Sequence, residues 1–249
     1  MNLLRTIIVI AGLGVASAAS ADLHEDMVNL DRAYIPALVI TNQPLSPTTR
    51  RAMERLRDEW NGYRARYPKA PAGFTSASWI AADKAIESSI ADAEASVKAG
   101  KPTVAHEALE GVRDAQYELR RGNGVSYWLD DFTAFHAAME KIAGAAAGKN
   151  AVTLADGDVA SIRAAMPEAQ RTWQALLARR GESARYGVPS GQADALQRQL
   201  DVQTQTLSDL KAALDRGDRA EIATKAAATK PAFSKLFQMF GDFAAVRGG

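Results

Sequence analysis

The chain has 249 residues, 24% charged and 47% hydrophobic, with a formal net charge of +1 and no cysteine. That length suits one large or two small globular domains. The missing cysteine excludes a disulfide framework, a thiolate zinc site, an iron–sulfur cluster, a cysteine nucleophile and covalent haem attachment. Near-zero charge leaves no long-range field to draw in nucleic acid or an anionic membrane.

Residues 1–21 have the pattern of a secretory signal. A short start carries Arg5, Ile7 to Ala16 form an uncharged apolar stretch, and Ala19-Ser20-Ala21 supplies a small-x-small cleavage pattern before Asp22. The apolar stretch falls far short of the roughly 20 residues that span a bilayer, and no later run does better. Removing it takes away Arg5 and no acid, so the mature charge is zero. A soluble periplasmic protein with no integral membrane segment is the expectation, since extracellular domains usually contain cysteine.

Downstream, apolar residues recur at spacings of three and four. Met53, Leu56, Trp60, Tyr63 and Tyr67 form one stripe, and Trp79, Ala82, Ile86, Ile90, Ala93 and Val97 form the next. Phe132, Phe135, Met139 and Ile142 follow, then Leu196, Leu200, Gln203, Leu207, Leu210 and Leu214, with Gln203 the one polar interruption. Each is one face of a 3.6-residue period. Alanine, about a fifth of the chain, favours helix as well. The pattern predicts an all-α protein with helices over 23–42, 46–67, 75–99, 102–121, 126–147, 157–180, 190–216 and 219–241. Pro47 and Pro102 suit first helical positions, Asp218 with Glu221 has capping-box spacing, and Gly100 and Gly217 suit helix ends. Pro36, Pro167 and Pro231 predict kinks inside three helices.

The halves resemble each other. Met53, Trp60 and Ala65-Arg66 recur 113 residues later as Met166, Trp173 and Ala178-Arg179. Ile90-Ala91-Asp92 leading to Gly100 recurs 117 residues later as Leu207-Ser208-Asp209 leading to Gly217, and Leu119 matches Leu236. The reading is two tandem up-down four-helix bundle repeats, 22–124 and 125–249, separate or fused into one eight-helix domain.

Most bundle chemistries fail on their spacing. A di-iron site needs Glu-x-x-His, but Thr103 and Thr133 stand three before His106 and His136. His106-Glu107 opens like a zinc-protease helix, but Glu110 replaces the second histidine. Met27 and His106 fall at opposite ends of an up-down bundle, which argues against axial haem ligation by that pair. No phosphate loop, dinucleotide fingerprint or serine elbow is present.

Two pairs remain, His106 with Glu110 and His136 with Glu140, each four apart and so on one helix face. On an antiparallel hairpin turning at Gly122-Asn123-Gly124 they fall at similar heights. Two imidazoles and two carboxylates suit copper, zinc or iron, with Met139 a further soft ligand for copper. Against this, such pairs also arise as ordinary surface pairs, and Arg113 continues the same face and can neutralise either glutamate. His24, one turn before Met27, is a lesser metal candidate on the first turn of its helix. The arginines of 50–66, interspersed with Glu54, Asp58 and Glu59, read as a salt-bridged outer face. The resulting expectation is a non-enzymatic exported protein binding a metal ion or small ligand. The alternative is a protein-interaction or structural module, and an acid–base enzyme ranks third.

Overall fold

The computed structural model describes the backbone of residues 13–247 and the side chains of 23–247. Among these residues the secondary structure is entirely helical, with α1 (Leu13–Thr41), α2 (Pro47–Arg66), α3 (Ser76–Lys98), α4 (Pro102–Gly122), α5 (Trp128–Ala146), α6 (Asp156–Ala178), α7 (Ala193–Arg216), α8 (Arg219–Phe237) and α9 (Ala244–Arg247). Tight 3-10 turns follow α6 at Arg180–Tyr186, precede α7 at Ser190–Gln192 and follow α8 at Gln238–Phe240. The expected leader, residues 1–21, lies outside the residues whose side chains are described. No described helix is long and apolar enough to cross a membrane.

Helix ends follow the local chemistry. The Ser46 side chain accepts from the Thr49 N–H while Thr49 reaches back to the Ser46 N–H, and Pro47 opens α2. Asp218 caps α8 by accepting from the Ala220 and Glu221 N–H groups. Gly217 ends α7 at φ 70°, a left-handed conformation that other residues adopt only under strain. The three internal prolines lie within α1, α6 and α8 without ending them.

The helices pair as hairpins in chain order: α1 with α2, α3 with α4, α5 with α6, and α7 with α8. In addition α1 packs on α4 and α5 on α8, whereas α2–α3 and α6–α7 touch more sparingly. One continuous apolar cluster runs through all eight long helices. The first half meets the second through α1 against the turns at 180–186 and 238–240, α4 against α5, and α2 against α9. Arg51 fastens α9 by donating to the Val246 and Arg247 carbonyls.

The arginine face of α2 is salt-bridged, but chiefly to other helices. Arg57 joins Glu87 and Glu94, and Arg64 joins Asp83 and Glu87, closing the thin α2–α3 seam.

A buried polar network crosses the junction between the halves. Arg120 on α4 makes a fork with Asp130 on α5 at 2.6–3.0 Å, and its guanidinium lies 4.2 Å from the Tyr127 ring. Tyr127 donates to Asp31 on α1 at 2.6 Å. Burial pushes the Asp31 carboxyl up to about 6, against the pull of Arg120. The folded state therefore holds this proton more tightly than the unfolded chain. Its contribution is fully present below the unfolded value near 4 and is lost as pH rises through 6. Relative to wild type, Asp31→Asn should gain about 2–3 kcal/mol on moving from pH 4 to pH 7. Urea midpoints of both proteins across that range measure the difference, and parallel curves would refute it.

Candidate functional site

A cleft of about 80 Å³ opens where α1, α4, α5 and α8 converge. Leu38 of α1 and Asn42 just after it, His106, Glu110 and Arg113 of α4, His136 of α5, and Lys230 and Phe233 of α8 face it. Three of the four residues predicted from spacing thus line one opening. Glu140 does not line it; its carboxylate stands beside it, 3.2 Å from His136 Nε2 and 2.8 Å from Lys230 Nζ.

The His106 imidazole is oriented by the backbone. Nδ1 lies 2.8 Å from the Leu38 carbonyl, which can only accept, so Nδ1 carries the proton. Nε2 is left 3.5 Å from Glu110 Oε1. The other Glu110 oxygen is taken by Arg113, whose side chain is only 8% exposed. Arg113 Nε is buried without a hydrogen bond among the described residues.

His136 is held below its ordinary range by burial, with the Arg113 and Lys230 charges acting the same way and the bond to Glu140 opposing them. Its Nε2 stands 3.2 Å from Glu140 Oε1. That contact and Lys230, opposed by burial, hold the Glu140 carboxyl down at about 2. His136 also packs its ring 5.3 Å from Phe233, which forms the apolar wall.

The two carboxylates singled out as metal ligands are each engaged by a cation. Among the described residues no group of three or more His, Asp or Glu is placed to hold a metal ion. Arg113, flagged from spacing as able to neutralise a glutamate, does so for Glu110. Lys230 was missed, since α8 is distant in sequence. A signal for it existed: Lys230 stands 117 residues after Arg113, the offset that aligns the two halves.

His24 is not on a first turn, because α1 begins at Leu13. Its ring packs at 5.6 Å from Tyr127 and 5.0 Å from Tyr186. Burial, with Arg185 adding to it, holds its pKa below the ordinary value. Met27 is buried and lines a different space, inside the first half.

Comparison of this chain with protein-family models, with curated proteins and with solved structures finds no match.

Proposed function

We propose that the protein is an exported, non-enzymatic binding protein that holds a small zwitterionic molecule in the α1–α4–α5–α8 cleft. The observation that carries this reading is the charge balance around the opening. Arg113 and Lys230 supply two cations, and Glu110 and Glu140 two carboxylates, already paired with one another. A lone anion or lone cation displaces one member of a pair and leaves its partner uncompensated, which is costly in a half-buried site. A ligand bearing both an ammonium and a carboxylate brings a partner for each sign, with Glu110 facing the first and Arg113 and Lys230 the second. Phe233, Leu38 and Phe237 offer an apolar wall for a short side chain. The opening well exceeds the roughly 10–15 Å³ that one water needs. Export rests on the leader pattern of residues 1–21.

The same reading takes 22–124 and 125–249 as copies of one four-helix unit, with the cleft between them. Two hydrogen bonds support this. The Trp60 indole donates to Glu87 at 2.9 Å, and the Trp173 indole donates to Thr204 at 3.0 Å. Trp173 stands 113 residues after Trp60 and Thr204 stands 117 after Glu87, the two offsets found in the sequence.

The test is calorimetric titration of untagged protein with glycine and alanine, with acetate, methylammonium and zinc as controls. The amino acids should bind, single-charge ions should not, and Lys230→Met should weaken binding about tenfold, the equivalent of one charge-assisted bond. Zinc binding abolished by a folded His106→Ala, His136→Ala double variant, with no response to amino acids, would replace this proposal with the metal site.

A further inference from the structure

The first half contains a second opening, separate from the cleft. It lies behind the α2–α3 seam and is walled by Trp60, Tyr63 and Trp79, with Gln116 and Arg120 on its inner side. Tyr63 stacks on Trp60 at 5.9 Å and on Trp79 at 6.0 Å, so the wall is a continuous aromatic surface. Enclosed space amounts to about 20 Å³, and Arg64 stands at its mouth with its guanidinium 5.8 Å from the Trp60 ring. That arm is 43% exposed and held by Asp83 and Glu87, and a ring, being larger than the enclosed space, enters only if the arm swings out.

Gln116 is the unusual member. It is 4% exposed, and its Nε2 has no hydrogen bond among the described residues. The amide orientation is set by chemistry, because Oε1 accepts from Arg120 Nη1 at 2.9 Å and a reversed amide would point donor at donor. A buried amide N–H without an acceptor costs about 1–3 kcal/mol. In the 117-residue register the second half has Phe233 and Phe237 where the first has Gln116 and Arg120. Those rings are buried, stack at 5.7 Å and pack against Phe132. Where one half has mutually packed rings, the other has an aromatic wall and a spare donor.

We infer that this opening is a binding site for a neutral planar aromatic molecule carrying one hydrogen-bond acceptor, with its ring against Trp60 and Trp79 and its acceptor on Gln116 Nε2. Neutrality follows from the two cations at the opening: Arg120 is forked to Asp130 and Arg64 is paired with Asp83 and Glu87, which leaves no spare cation for a carboxylate.

The experiment titrates benzamide, toluene and benzoate into the full chain while the indole N–H signals of its four tryptophans are followed by NMR. Benzamide should shift Trp60 and Trp79 and leave Trp128 and Trp173 in place, with benzoate at least tenfold weaker. Gln116→Leu should weaken benzamide about tenfold and leave toluene unchanged, as removal of one hydrogen bond requires. Gln116→Phe, copying the second half, should abolish the response to all three rings; Gln116→Met replaces Gln116→Leu if the leucine variant fails to fold. Indole signals indifferent to benzamide in the wild type would overturn the inference, as would equal benzamide affinity in folded Gln116→Leu. Because the cleft holds no tryptophan, this outcome is independent of whether the cleft binds amino acids.

Discussion

Replacing Arg120 with methionine should lower the free energy of unfolding by about 3–5 kcal/mol, read from urea denaturation. Arg120 is 4% exposed, and its contacts join elements on both sides of the junction. It carries the fork to Asp130, the bond to Gln116 and the face contact with Tyr127, which in turn holds Asp31. Methionine fills much of the stem volume but takes away the main cation of both buried carboxylates, leaving Asp31 with none and Asp130 with Arg179 alone. The loss therefore comes chiefly from stranded carboxylates rather than from packing. Changing both members of the fork, as Arg120→Met with Asp130→Leu, should recover part of the stability, because one of the two uncompensated carboxylates disappears with its partner while Asp31 stays. A double variant as unstable as the single one would show that the fork is needed for specific packing and not merely for charge balance.

Trp128→Ala should cost a similar amount, about 3–5 kcal/mol, by the same measurement. Trp128 is fully buried, with Phe132, Tyr186 and Phe240 against it at 5.2, 5.8 and 5.5 Å. Those rings come from α5 and from the turns after α6 and α8, so alanine opens a cavity where three separate segments meet. The surroundings cannot collapse into it without moving a turn. Trp128→Phe should lose only about 1 kcal/mol, since most of the ring volume stays. The Leu176 carbonyl, which accepts the indole N–H at 2.9 Å, also keeps the Arg179 N–H.

The local decisions of this chain are readable from its residues. Helix periods, the Ser46 and Asp218 caps and the glycine at 217 all act over one or two turns, and the helices form where those signals stand. Boundaries drifted where the chain tightens into 3-10 turns, as at Arg180–Tyr186 and Gln238–Phe240. There the deciding contacts are distant: Tyr186 accepts from the Trp128 N–H, and Arg32 on α1 donates to the Gly187 carbonyl. The arginines of α2 read as a salt-bridged outer face, and Arg57 and Arg64 find their acids on α3. Spacing shows that a charge is on an outer face; it does not show which neighbour covers that face.

The candidate site divides in the same way. That His106 pairs with Glu110, and His136 with Glu140, follows from helix geometry, because residues four apart share a face whatever the fold. The sequence by itself thus determined the helical class, the pairs and the competing presence of Arg113. Only the tertiary structure decided that α8 comes alongside α5, and with it that Lys230 takes Glu140 and Phe233 walls the opening. The physical reason is range. Backbone hydrogen bonding and side-chain periodicity are settled within a few residues, whereas the charge and shape of a cleft depend on which helices share a core, and that depends on the packing of the whole chain.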